Sequence, residues 1–598
     1  MAHGTVLELE NVLSPERKAS EIAKMFRTWD MAKEDTKRAW LEVRNYLFAT
    51  DTSTTSNKSL PWKNSTTTPK LTQIRDNLQA NYMATIFPKR RFVKWEAGSQ
   101  AAATKEKRKL LEDYTFSLVN HPEFKNTIEQ LVNDFIDTGN CFVMPDWRDE
   151  SVETEISIKP GYKGPVAKRI SPYDIVFNPT AATFRDTPKI IRSLESIGDL
   201  ENVLTAWSKD SSQAEVAKNT LSYLKDIRKT AYGVDSFKEK DEAYRVDGFE
   251  SYHAYLNSGT VELLYFYGDY YDPEEQKLYK NKKIVVADRH RIVFEGDIPH
   301  LIAKAPIFHV GWRKRPDNLW SMGPLDNLVG LQYRIDHVEN LKADVFDLIA
   351  APVIKIKGYV EQFDWKPFGK IVVDADGDVE VLAPDAQALN ANLEISVLEQ
   401  KMEEMAGAPK EAMGFRTPGE KTMYEVQRLE NAASRIFQSK ISLFEEQLLE
   451  PLLNSMILLA RQYGVEDQIK VIDPEFGAEL WVSVTTEDLA LPGRIRPVTA
   501  RHFAEKAQLV QNINNFFGSA AGQDPSIKRH FSGFKVAKMF EELLEIEDWE
   551  LVEQNIAISE ETEATKLASQ AQEDVFAMQQ SPSIYEPPDQ MPNEQIPA

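Results

Sequence analysis

The stretch WSMGPLDNLVGLQYRIDHVENLKADVFDL, residues 320–348, decides the fold. After Gly323-Pro324, where proline suits a first helical turn because its missing N–H is not needed there, apolar residues recur at Leu325, Leu328, Leu331, Ile335, Val338, Leu341, Val345 and Leu348. Spacings of three and four place them on one helical face. The run stops at Ala351-Pro352 after about 28 residues, roughly 42 Å at 1.5 Å per residue. Few globular domains need such a rod.

Short β-like runs follow. Val353-Ile354-Lys355-Ile356-Lys357 alternates, and Lys370-Ile371-Val372-Val373-Asp374 is expected to face Asp378-Val379-Glu380-Val381-Leu382 across Asp376-Gly377. Asp-Gly between such runs is a strong hairpin signal. A second helix is expected from near Pro384-Asp385, with Leu389, Leu393, Val397, Met402 and Met405 on one face, stopping at Gly407-Ala408-Pro409. Two rods thus carry a β tip. Residues 407–419, GAPKEAMGFRTPG, hold three glycines and two prolines and read as a loop. Thr417-Pro418-Gly419-Glu420 has capping-box spacing, so a helix starts there and runs through Val426, Ile436, Phe444, Leu452 and Leu459 to Tyr463-Gly464. Pro451 lies inside it and predicts a kink.

This order of elements, with Trp320-Ser321-Met322-Gly323-Pro324 opening the first rod and Pro418-Gly419-Glu420-Lys421-Thr422 opening the long helix, resembles the portal (head-to-tail connector) proteins of tailed bacteriophages, above all those of short-tailed phages. The resemblance covers roughly residues 70 to 500. It implies an α+β, mainly helical, ring-forming fold: wing (1–318), first stem helix (319–351), clip (352–384), second stem helix (385–406), tunnel loop (407–419), long wing helix with return strands (420–494), crown (495–558) and a barrel extension or disordered tail (559–598). It also implies about 12 copies around a channel for double-stranded DNA, placed at a capsid vertex in the virion after assembly in the host cytoplasm. The implied partners are the terminase motor, capsid and scaffolding proteins, and tail adaptor or connector proteins.

Packing geometry gives an independent width. Twelve rods about 9 Å apart put their axes on a circle roughly 34 Å wide, leaving about 24 Å clear after one helix diameter of about 10 Å. A duplex fits. Six rods leave only about 7 Å.

The net charge of −22, from 71 basic and 93 acidic residues, argues against a protein that grips nucleic acid by neutralising phosphates. From Pro324 to Met405 there are 16 acidic and 7 basic residues. A like-charged wall suits a conduit, which must let DNA slide, and Asp336, Glu339, Asp344, Asp347, Glu394 and Glu399 are the acids expected to line it. Solvated faces of ordinary helices are the alternative.

At 598 residues the chain is long enough for several cores. A single cysteine, Cys141, excludes an internal disulfide framework and fits a reducing compartment. With no apolar run of 18 residues and no signal-like start, it is expected neither to span a membrane nor to be secreted. Helices are expected from Ser14 to about Phe48, over Leu71 to Ile86, Thr104 to Leu118 and Phe124 to Asp137. Thr50 to Pro69 reads as a loop. Lys89-Arg90-Arg91-Phe92-Val93-Lys94-Trp95 is a basic, aromatic strand, either a surface strand or subunit contact or a DNA contact. Asn140 to Met144 reads as a core strand, residues 150–310 are strand-rich around a helical insertion at about 213–228, and the tyrosines Tyr265, Tyr267, Tyr270 and Tyr271 with Trp312 read as core or interface. Ile469 to Ile472 and Leu480 to Val484 are return strands; Arg501 to Phe517 and Phe534 to Ile546 read as crown helices; the last 20 or so residues, rich in Gln and Pro, read as disordered.

Catalytic signatures are missing: no phosphate-binding Gly-x4-Gly-Lys loop, no His-Glu-x2-His, no cysteine pair for zinc, no Gly-x-Ser-x-Gly. No cofactor or metal is expected, nor enzymatic activity, so the energy for moving DNA must come from another protein. The run Asp374 to Glu380 lacks the glycine and glutamate an EF-hand needs. In the tunnel loop, Lys410, Met413, Phe415 and Arg416 are the residues expected to face the duplex, lysine and arginine touching phosphates transiently; sealing against neighbouring subunits is the alternative. A helical scaffold or assembly protein without a channel is the competing function, and a metal-dependent nuclease at the Asp374 cluster a third.

Overall fold

The structure is a computed structural model. It describes residues 16–59, 63–87, 93–98, 105–149, 152–153, 158–159, 162–201, 260–289, 291–298, 304–350, 353–358, 360–363, 371–373, 376–382, 391–406, 436–464, 467–472, 479–490, 492–497, 515–518 and 532–544, with single positions at 222 and 513. The chain divides into two compact units, Met1–Thr499 and Ala500–Ala598. In the second unit the helix Gly533–Leu544 matches the expected second crown helix. The tunnel loop, residues 420–435 of the long helix, nearly all of the helical insertion and everything after residue 544 lie outside the described residues.

The first unit mixes helix and strand. A five-stranded antiparallel sheet runs in the order Arg291–Asp297, Lys277–Ala287, Thr260–Asp272, Lys189–Ser196, Ile175–Phe177. The helix Arg17–Ala32 lays Ala19, Ile22 and Phe26, spaced three and four apart, on Val176, Ile190, Leu264 and Phe266 of that sheet. The single helix expected from Ser14 to Phe48 is divided at Lys33, and Glu34–Leu47 continues separately. The two pieces cover different surfaces, since Val43, Tyr46 and Leu47 of the second join another core. One straight helix could not reach both. Tyr267, Tyr270 and Trp312 are buried as expected, whereas Tyr271 is exposed.

That other core is built from the helices Glu34–Leu47, Lys70–Ile86, Lys105–Val119, Pro122–Asp137 and the described part of the long helix, 436–462. At its centre Tyr82, Phe135, Trp312 and Phe444 meet mostly edge to face, Tyr82 and Phe135 at 6.0 Å and 89°, the arrangement favoured by ring quadrupoles. A second sheet, Phe308–Gly311, Asn140–Asp149, Lys163–Ile170, borders it.

One boundary differs from expectation. The strand Gly493–Pro497 pairs antiparallel with Val93–Ala97, so it belongs to the first unit and the crown cannot begin at 495. The same pairing buries Val93 and Trp95, which makes the described end of the basic, aromatic run a structural strand. The return strands Asp467–Ile472 and Glu479–Val484 pair with each other.

Within the long helix, residues 445–449 form a π turn, Glu445–Leu449, immediately before Glu450–Gln462. The irregularity expected from Pro451 is therefore taken up in the turn before it, where a proline has no N–H to return to residue 447.

The β tip is a correction. Asp376-Gly377 is not a hairpin turn: Asp378–Leu382 pairs with Val353–Lys357, and Ile371–Val373 pairs with Val360–Phe363. The four strands are two arms of one long ribbon, whose connection falls in residues 364–370, outside the described residues. Asp376 and Gly377 lie part-way along an arm, next to the strand Asp378–Leu382 and close to Gly358. Gly358 has φ +82°, and a Cβ there would stand 2.9 Å from the Cα of Gly377. Glycines at both positions allow this close backbone approach, so the Asp-Gly signal marks the approach rather than a chain reversal.

Candidate functional site

The rods are Val329–Ala350 and Asn392–Ala406. The first is shorter than expected because residues 323–328 form tight turns: Asp326 Oδ2 accepts from Gly323 N–H at 2.8 Å, and Leu328 N–H donates to Leu325 O at 2.8 Å. This base is fixed from below. Gly139, at φ +71°, sits so close that a Cβ would come within 2.3 Å of Gly323 N. Beside it Asn140 grips the backbone of Ser321 at both ends, Nδ2 donating to Ser321 O at 2.8 Å and Oδ1 accepting from Ser321 N–H at 2.9 Å. Of the second rod's expected span, residues 385–390 lie outside the described residues, and the described part is helical as expected.

The rods' lower halves enter the main core through Leu325, Leu328, Ile335 and Val338 on one and Ile395, Met402 and Ala406 on the other. Arg334 pairs with Glu394 at 2.9 Å and Lys342 donates to Asn392 Oδ1 at 2.6 Å, which holds them together. Six of their other apolar side chains are exposed in the single chain: Leu341, Phe346 (59% exposed) and Leu348 on the first, Leu393 (77%), Val397 and Met405 on the second.

A polar ladder runs up the first rod. Gln332 Oε1 accepts from Leu71 N–H (3.0 Å) and its amide donates to Thr68 O (2.6 Å). Asp336 accepts from Thr68 N–H (3.0 Å) and Thr67 Oγ1 (2.8 Å). Asn340 accepts from Thr66 N–H (2.8 Å) and donates to Thr66 O (2.7 Å). Asp344 accepts from the N–H groups of Lys63 and Asn64, each at 2.9 Å. Successive rungs are four residues apart, a rise of about 6 Å, and two residues of extended chain span about 6.5 Å. The two repeats match, so one side chain per helical turn meets one step of the strap at 63–69.

The ladder changes the standing of the acids expected to line a channel. Asp336 is fully buried and lines no surface; burial holds its pKa above the usual carboxylate range, against the bonds from Thr68, Thr67 and Gln332. Asp344 is half-buried and turned to the strap. Burial acts upward on its pKa too, but the N–H groups of Lys63 and Asn64 outweigh it and the net shift is down. Asp347, exposed, accepts from Asn64 Nδ2 at 3.1 Å. Glu339 is half-buried, 3.5 Å from Lys342, Glu394 is paired with Arg334, and Glu399 is half-buried. The sequence reading also missed Glu403, which is buried and paired with Lys70 Nζ at 2.6 Å. Polar residues recurring once per turn on an otherwise apolar rod were the available signal. Lys410, Met413, Phe415 and Arg416 lie outside the described residues, as does Asp374.

Among the described residues no group of three or more His, Cys, Asp or Glu is placed to hold a metal ion, and no helix is long and apolar enough to cross a membrane. No family model matches the chain, and no curated protein matches it either.

Proposed function

We propose that this chain is a portal subunit of a tailed phage, about twelve copies of which form a ring around a channel for double-stranded DNA at one capsid vertex. The observation that carries the proposal is the pair of rods ending in a ribbon, with Leu341, Phe346, Leu348, Leu393, Val397 and Met405 left open to water. Contiguous apolar faces on a folded chain mark contacts with other chains, and rods standing side by side in a ring cover one another. In this reading the ribbon is the clip that docks the packaging motor and then tail proteins, and the tunnel loop, with Lys410, Met413, Phe415 and Arg416, meets the duplex.

The charge supports a conduit over a binder. Pairing Glu394 with Arg334 or Glu339 with Lys342 leaves the balance of 16 acidic against 7 basic residues in this region unchanged. Phosphates passing such a wall meet no deep electrostatic well.

Light scattering on the purified full-length chain tests the assembly. The expected mass is about twelve times that of one chain, the number whose width admits a duplex. A monomer contradicts the proposal, and a small closed bundle of a few chains favours the scaffold function instead.

A further inference from the structure

We propose that the ribbons of neighbouring copies join edge to edge, the 353–357 arm of one copy pairing with the 378–382 arm of the next, so that the clip is one continuous intermolecular sheet. The proposal rests on the ring proposed above and deepens it by naming which edge meets which.

Among the described residues each ladder of the ribbon has only two strands, so the outer edge of Val353–Lys357 and the outer edge of Asp378–Leu382 are both open. Two strands alone are marginal in water, and an open edge offers unpaired N–H and C=O groups to any matching strand. The ribbon's registers make its two faces unlike. Lys355 stands opposite Glu380 and Lys357 opposite Asp378 on one face, while Ile354 opposes Val381 and Ile356 opposes Val379 on the other. Ile356 and Val381 are exposed.

The charges select the partner edge. On the charged face one arm carries only lysines, 355 and 357, and the other only acids, 378 and 380. A second copy joined through like arms sets lysine against lysine or carboxylate against carboxylate, which is unfavourable across strands. Joined through unlike arms, each new seam repeats the Lys355–Glu380 pairing that closes at 2.9 Å within one chain. Arms alternate in direction along such a row, so every seam stays antiparallel. Unlike-edge pairing is head-to-tail, and a head-to-tail contact closes into a ring or grows without end; it is the type a cyclic assembly requires.

The test exchanges the two arms' charges in one full-length chain: Lys355→Glu, Lys357→Glu, Asp378→Lys and Glu380→Lys. Every pair within the chain is kept, so the exchanged chain is expected to form rings alone. At a seam with the natural chain, however, acids meet acids and lysines meet lysines. Native mass spectrometry of a refolded equimolar mixture, one partner tagged, is expected to show separate rings of each kind. Randomly mixed rings overturn the edge pairing and leave the ring standing, whereas absence of rings from the natural chain removes both. A second pair of variants covers misfolding of the exchanged chain. Lys355→Glu with Lys357→Glu in one chain, and Asp378→Lys with Glu380→Lys in another, are each expected to lose rings alone and to regain them when combined. Rings from either variant alone, or none from the combination, also overturn the proposal.

Discussion

Lys33 is fully buried at the break between the two N-terminal helices. Its ammonium donates to Tyr173 O at 2.9 Å and Ile175 O at 3.0 Å and lies 4.9 Å from the Trp320 ring centre and 5.6 Å from that of Trp40. Carbonyls and ring faces only partly replace water, and burial, aided by the charge of Lys37, holds its pKa well below 10.5. The sign follows from proton counting. Between the lowered folded value and 10.5 the unfolded chain binds one more proton than the folded one, so stability rises with pH by up to about 1.4 kcal/mol per unit and is flat on either side. Melting temperatures measured from pH 7 to 11 are expected to show this rise in the natural chain and to lose it in Lys33→Met. Equal slopes in the two proteins would show that Lys33 does not titrate through this range. Sequence could not reveal it, because a lysine between Ala32 and Glu34 reads as an ordinary helix surface position and only the meeting of residues 33, 173 and 320 buries it.

At the scale of elements, what repeats locally was legible and what depends on partners was not. The rod's three-four spacing and the helices Lys70–Ile86, Lys105–Val119 and Pro122–Asp137 follow their periodicities, and the strand-rich stretch expected over 150–310 holds Lys189–Ser196, Thr260–Asp272 and Lys277–Ala287. Strand pairing did not follow, because Asp376-Gly377 carries the same local signal whether or not it reverses the chain, and the strand it precedes pairs with residues 353–357, distant in sequence. Asp336 and Asp344 were misjudged for a similar reason. Nothing within residues 336–344 announces a strap 270 or so residues away. The ladder makes a graded prediction. Asp336→Ala strands Thr68 N–H in a buried place and is expected to cost about 2–3 kcal/mol, Asn340→Ala about 1–2, and Asp344→Ala, the least buried rung, under about 1. Hydrogen exchange of the amides at 63–68 should speed up in the same order. Fastest exchange in Asp344→Ala would contradict the ladder as the strap's main anchor.

At the scale of the assembly, the rods and ribbon each leave exposed apolar side chains or open edges among the described residues, and the proposed ring would fill both gaps with one arrangement of copies. The rods are committed to the core through the faces that carry Ile335, Val338, Ile395 and Met402, so the exposed side chains on their other faces cannot be hidden by folding the rods onto each other. A closed coil of rods from a few chains would hide them too, but without a passage. Cryo-electron microscopy of the purified chain separates these outcomes most directly. The account predicts end-on views with about twelvefold symmetry and a central opening of about 24 Å; particles with a filled centre, or single compact chains, would contradict it.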